Sequence, residues 1–235
     1  MASNKDLAYW TERTRRFGAR SIGYGCDDRL IHWDNVLRAR AISRLVTVKP
    51  GLRVLDVGTG AGYWAIKCAK AGAIVTAVDF SEDLLRLAEV NARKAGVNVT
   101  WLCTALEQAH LPQDVFDIVL SVTCLQHITE RERQMEALRR VLRALRPRGV
   151  LVLVEDTTVG DPEVSDYMTT YRQDDWIALV QSQGGQLLRF VGVSFLRFGH
   201  PRIPLHIAVA IDFMVGHLQW LKTRAAVTAF AFTKP

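Results

Sequence analysis

Three glycines at alternate positions, Gly58, Gly60 and Gly62, stand in "VLDVGTGAGYW" (54–64), between an apolar run and a helical pattern. Glycine permits a tight turn and lets a ligand touch the backbone, so a strand, a bare turn and a helix in that order make a nucleotide site. Asp79 ends the next apolar run, "AIVTAVDF" (73–80), where a carboxylate can accept hydrogen bonds from both hydroxyls of a ribose. The spacing G-x-G-x-G is not the dinucleotide pattern G-x-G-x-x-G, because Tyr63 occupies the place that asks for a small residue. Asp56, two residues before the first glycine, would repel a pyrophosphate and suits a ligand with a cationic amine. That ligand is not a dinucleotide.

Beyond this turn, His127 in "SVTCLQHIT" (121–129) is the strongest candidate acid or base, since an imidazole titrates near neutral pH. Cys124, three residues earlier, is a weaker candidate nucleophile: no Pro-Cys pair occurs in the chain. The four cysteines, Cys26, Cys68, Cys103 and Cys124, are widely spaced, without a C-x-x-C pair. This argues against zinc, and against metal in general, and against a disulfide framework, and it suits a reducing cytoplasm.

These residues need elements to hold them. "LRVLDV" (52–57), "AIVTAVDF" (73–80), "VNVTWLC" (97–103), "VFDIVLSVT" (115–123) and "GVLVLVED" (149–156) read as short buried strands. Helical patterns at 63–72, 81–96 and 130–145 alternate with them, and Ser81 and Gly96 supply the caps of the second. Apolar strands separated by amphipathic helices predict a parallel sheet covered on both faces. After 156 the alternation changes: a loop over 158–170, a helix over 172–185, strands over 186–198 and 224–235, and a helical stretch over 203–221 between them. The two closing strands predict an antiparallel element at the edge of the sheet or inserted into it. Two helices before residue 51, around "SIGYGCDD" (21–28), predict a cap integral to the domain rather than a separate one, with the domain proper over 51–235.

"VLDVGTGAG", "VDFS", "FDIVLSVTCLQHI" and "LRPRGVLVLVE" resemble, in order and at the usual spacing, the motifs of the class I (Rossmann-like) S-adenosylmethionine-dependent methyltransferases over about residues 50–156. The resemblance implies an α/β three-layer sandwich with a seven-stranded, mostly parallel sheet whose last strand is antiparallel. It implies S-adenosylmethionine as cofactor, with S-adenosylhomocysteine as product. Gly58, Thr59, Gly60 and Gly62 would line the methionine and ribose part, and Asp56 would anchor the glycine turn or the cofactor's amine. Asp79 would hold the ribose and Phe80 would flank the adenine, with Ala105, Leu106 and Ser121 bordering the same site. The family often places an Asp before the alanine after the third strand, to bind the adenine amine; here Thr104 stands there, with Glu107 slightly later.

By the same resemblance the stretch around His127 faces the sulfonium, as catalytic base or as a packing residue. The missing N-P-P-[YF] and D-P-P-Y motifs disfavour methylation of exocyclic base amines or glutamine amides, and a small-molecule oxygen or nitrogen is the expected acceptor. Tyr24, between two glycines, and Phe213, with Met214 and Trp220 in the late helix, are candidate acceptor contacts. Arg15, Arg16 and Arg20 are candidate contacts for an acidic acceptor. Methylation of a protein N-terminus, methylation of RNA through the basic surface, and a non-catalytic partner subunit remain open alternatives.

The formal charge of +6 permits an anionic partner, yet the arginines of 130–149 mostly lie off the apolar stripe of Leu138, Val141, Leu142 and Leu145, as on a solvated helix face. The stretch 203–221 is apolar enough to suggest a membrane, but it contains Asp212, and an ionised Asp at mid-bilayer costs about 2.5–3.5 kcal/mol. Stable insertion is not expected, and the N-terminus lacks the apolar core of a signal peptide. Nothing in the sequence sets an oligomeric state.

Overall fold

The computed structural model describes residues 4–18, 21, 28–157, 163–195, 204–215 and 219–235. Two helices, α1 (Asn4–Phe17) and α2 (Asp28–Leu45), precede the alternating part. That part runs β1 (Arg53–Val57), α3 (Tyr63–Lys70), β2 (Ile74–Asp79), α4 (Glu82–Ala95), β3 (Thr100–Cys103), β4 (Phe116–Val122), α5 (Arg131–Ala144) and β5 (Leu145–Asp156). A two-residue pair, β6 (Glu163–Val164) and β7 (Thr169–Thr170), then leads to α6 (Gln173–Ser182), β8 (Gln186–Ser194), α7 (Leu205–Val215) and β9 (Val227–Thr233).

The seven-stranded sheet has the order β3-β2-β1-β4-β5-β9-β8. The pairs β2–β3, β1–β2, β1–β4 and β4–β5 are parallel, whereas β9 runs antiparallel to both its neighbours. The last strand is thus inserted between β5 and β8. The segment 158–170, read as loop, contains the short β6–β7 pair, too brief to leave a periodic signature.

Side chains that alternate along the strands build two cores. On one face Val54, Ile118, Leu120, Val152, Ala229 and Ala231 pack with Trp64 and Ala65 of α3 and with Leu37, Ala41 and Ile42 of α2. On the other, Leu55, Val119, Leu151, Leu153, Phe230 and Phe232 pack with Leu138, Val141 and Leu142 of α5 and with Trp176 and Leu179 of α6. The small Ala229 and Ala231 let α2 approach, and the phenylalanines between them fill the opposite layer. α2 is therefore a covering helix of the sheet as well as a cap.

α4 illustrates how local sequence sets a boundary. Ser81 accepts from the Leu84 N–H at its start, Glu82 and Asp83 complement the helix dipole, and Gly96 closes it at a φ of 68°. Within the stretch 203–221 the described residues form α7 over Leu205–Val215 and the start of a 3-10 turn over Gln219–Arg224. Among the described residues no helix is long and apolar enough to cross a membrane.

Candidate functional site

The strand order reverses between β1 and β4, and ligands of open α/β sheets bind at the carboxyl ends of strands at such a point. Gly58 follows β1 and Cys124 follows β4 there. A Cβ on Gly58, whose φ is +65°, would lie 2.3 Å from the Cys124 sulfur. Only a glycine fits this crossing of the two loops. Gly58 and Thr59 donate their N–H groups to the Val78 carbonyl, which ties the turn to β2.

The turn is stapled from two sides by carboxylates. Asp79 accepts from the Gly60 N–H at 2.8 Å and from the Ser81 N–H at 2.9 Å. Asp56 lies beneath, accepting from the Thr59 hydroxyl at 2.6 Å and the Ala65 N–H at 3.0 Å. Burial pushes the Asp56 carboxyl up to about 7, against the opposing effect of those two bonds. Burial likewise raises Asp79.

A cleft of about 1140 Å³, solvent at its mouth included, opens above this turn. Of the residues singled out from the sequence, Gly58, Thr59, Gly60, Asp79, Phe80, Thr104, Ala105, Leu106 and His127 line it. Three other predicted residues are not on its wall. Asp56 anchors the turn from below; Gly62 packs against Ala88 and Trp101; Ser121 is fully buried at the end of β4. Phe213 is a correction: it lies under the Arg40 guanidinium, 4.2 Å from carbon to ring centroid, outside the cleft. The insertion of β9 carries α7 to the β8 edge, so an apolar helix expected to wall the acceptor site instead leaves Met214 exposed. Arg15 pairs with Glu12, and Arg16 lies over the Phe17 ring. Tyr24, Arg20, Cys26 and the Trp220 side chain lie outside the described residues.

His127 sits on a single 3-10 turn, Leu125–His127, held at several points. Its Nδ1 lies 2.8 Å from the Tyr167 carbonyl oxygen. That carbonyl can only accept, so Nδ1 carries the proton and the lone pair of the neutral ring is on Nε2. Trp10 of α1 meets the ring edge-on at 5.0 Å, and Tyr9 stacks on Tyr167 at 4.9 Å. α1 thereby closes over the histidine. From below, fully buried Glu155 accepts from the N–H groups of Leu125 at 2.9 Å and Cys124 at 3.3 Å, and Gln134 donates to the Leu125 carbonyl. Burial raises Glu155 to about 8, and its Oε2 has no partner among the described residues.

The Cys124 thiol is pushed well above its ordinary value by burial and by the carboxylates around it, which disqualifies it as a nucleophile at neutral pH. Cys68 is buried, but Cys103 is exposed at the end of β3, unlike the core position its apolar run suggests.

Sequence reasoning passed over three contributors to the cleft. Trp10 comes from α1. Asp34 and Arg38 come from α2, one helical turn apart, and form a largely buried ion pair at 2.8 Å. Burial raises Asp34, its largest influence, while Arg38 opposes the shift. Arg38 Nε is buried and has no hydrogen-bond partner among the described residues. The i,i+4 spacing was the available signal, but on a helix it reads equally as a surface pair. Arg133 and Glu107 form a further ion pair on the wall, at 2.6 Å.

Comparison with known proteins gives a consistent picture. Residues 54–149 match the family model described as a methyltransferase domain. A ubiquinone biosynthesis O-methyltransferase of Coxiella burnetii is 35% identical over 106 residues, 45% of either chain. One of Bradyrhizobium diazoefficiens is 34% identical over 103 residues, 44% of this chain and 39% of that one. The match thus spans less than half the length of the curated relatives. Among solved structures, the cyclase SpnF superposes with a TM-score of 0.70 at 18% identity, over 98% of this chain and 94% of that one. Phosphoethanolamine N-methyltransferase 2 of Haemonchus contortus, in complex with S-adenosyl-L-methionine, gives 0.63 at 20% identity, over 86% of this chain and 52% of that one. An S-adenosylmethionine-dependent methyltransferase of Methanosarcina mazei gives 0.63 at 16%, over 82% and 96%. At these identities the likeness concerns the fold.

Proposed function

We propose that this chain is a class I S-adenosylmethionine-dependent methyltransferase that moves a methyl group from S-adenosylmethionine to a hydroxyl oxygen of a small aromatic acceptor, with His127 as general base; the match of residues 54–149 to a methyltransferase domain supports the reading. The observation that carries the reading is the convergence of the glycine turn, Asp79 and His127 on one cleft.

The residues present suit the donor. Gly58 leaves the backbone bare where a side chain could not stand, and each Asp79 oxygen keeps a second lone pair for a ribose hydroxyl. Phe80, Ala105 and Leu106 offer an apolar slot for the purine. The Arg38 guanidinium on the cleft wall suits the carboxylate of the amino-acid end, and the Asp34 carboxylate suits its ammonium. Bound there, the donor would supply an electrophilic methyl for in-line transfer to the acceptor oxygen, its carbon–sulfur bond breaking to leave a neutral thioether.

The protein's share is position, proton and dryness. Nε2 of His127 takes the hydroxyl proton as the new carbon–oxygen bond forms; the Tyr167 carbonyl fixes the tautomer that can do so. Trp10 and α1 shield that end from water. Oxygen as the acceptor atom is supported by the names of the curated relatives, and an aromatic acceptor by the walls of Trp10, Ile31 and Ile128.

The test is transfer of labelled methyl from S-adenosylmethionine to a panel of ortho-dihydroxyaromatic and amine probes by the wild type and by His127→Asn, which keeps a donor for the Tyr167 carbonyl. Expected is transfer to oxygen, with the variant's kcat lower by about 10²–10⁴-fold and donor affinity within threefold. A kcat within about threefold of wild type would refute the base role, and transfer only to amines would refute the acceptor class.

A further inference from the structure

An adenine in the slot beside Phe80 presents an exocyclic amine, which donates hydrogen bonds and is costly to bury without an acceptor. The wall there offers few acceptors. Thr104, in the place where the related motif has an Asp, turns its hydroxyl to the Ala105 carbonyl at 3.3 Å. Asp79 already accepts from Gly60 and Ser81 and faces the ribose position. The other carboxylate on this wall is Glu107, on the 3-10 turn Leu106–Gln108 directly after Thr104 and Ala105.

Glu107 is only 8% exposed, and it is held with unusual definition. Arg133, from the first turn of α5, donates to it through Nε at 2.8 Å and through Nη2 at 2.6 Å. Both bonds fall on the same oxygen, Oε1. Oε2 accepts from none of the described residues. Arg–carboxylate pairs are frequently bidentate, fork to fork across both oxygens. Here the cation neutralises and orients the group while one oxygen keeps its accepting capacity. A charged acceptor so fixed needs little reorganisation when a ligand arrives.

We propose that Glu107, locked by Arg133, accepts the hydrogen bond of the adenine amine and so supplies the base selectivity that Thr104 does not. This deepens the donor assignment above and rests on it. Hypoxanthine differs from adenine at the relevant atom, with a carbonyl oxygen in place of the amine. Against Glu107 that oxygen would meet a second set of lone pairs. A glutamine at 107 could turn either its oxygen or its amide N–H₂ to the base, and would accept both.

The experiment is calorimetric titration of the full chain with S-adenosylhomocysteine and S-inosylhomocysteine, using wild type, Glu107→Gln and the double variant Glu107→Gln/Thr104→Asp, each checked for an unchanged fold by circular dichroism. Expected is a preference for adenine of at least about tenfold in the wild type. It should collapse to within threefold in Glu107→Gln and return in the double variant, where an acid again stands beside Ala105. A folded Glu107→Gln protein that keeps the full preference overturns the proposal and leaves the donor assignment intact. A wild type that binds both ligands equally overturns it as well. A wild type that binds neither overturns the donor assignment itself.

Discussion

Replacing Glu155 by Gln isolates what a buried carboxylate does beneath the Leu125–His127 turn. The amide oxygen can still accept from the Leu125 and Cys124 N–H groups, so the turn keeps its anchor, but the group no longer ionises. In the wild type, burial moves the Glu155 carboxyl from an ordinary 4.5 to about 8. Between those values the folded protein retains a proton that the unfolded chain has released, so stability falls as pH rises through the window. One proton costs about 1.36 kcal/mol per pH unit where the two states differ fully, which amounts to about 2.5 kcal/mol between pH 5 and pH 7. Asp56, raised to about 7, acts in the same direction but is common to both proteins, so the difference between them reports Glu155. Urea denaturation followed by tryptophan fluorescence at pH 5, 6 and 7 measures it. The stability of Glu155→Gln relative to wild type should rise by about 2.5 kcal/mol over that range, whatever its offset at pH 5. Parallel pH profiles would show that Glu155 ionises at an ordinary pKa, and the reasoning about its burial would fail.

Gly58→Ala forces a left-handed φ on an L-residue, costing about 1–2 kcal/mol, and drives a methyl into Cys124; Cys124→Gly in the same background should recover the collision but not the backbone cost. Chemical denaturation of the four proteins of that cycle separates the two parts, and full recovery would contradict the assigned φ. Arg38→Gln should weaken S-adenosylhomocysteine by about 10–100-fold while leaving methylthioadenosine, which lacks the amino-acid end, within threefold. Equal losses by calorimetry would move Arg38 away from the carboxylate.

Much of this fold is legible in the sequence because its signals are local. The runs that become β1, β2 and the apolar part of β5 are apolar and bounded by glycines or a cap, and the glycine turn with Asp79 announces its site through spacing alone. What stayed hidden depends on contacts distant in sequence. α2 reads only as a cap of the domain, and its place against the sheet depends on Ala229 and Ala231, almost two hundred residues later, being small enough to admit it. Trp10 and Tyr9 look like ordinary helix residues until they meet His127 and Tyr167. Phe213 misled for the converse reason: an apolar helix has the same composition whether it walls a pocket or lies at an edge. Glu155 reads as the end of a strand, and only its buried bonds to the Cys124–Leu125 backbone reveal its role.

The most direct test of the whole account is calorimetric titration of S-adenosylhomocysteine into the wild type and Asp79→Asn, alongside NADH and ATP. The account predicts one site per chain for S-adenosylhomocysteine, at least about tenfold weaker in Asp79→Asn, and no heat from the other two ligands. A silent titration with S-adenosylhomocysteine, or a dinucleotide that binds in its stead, would contradict it.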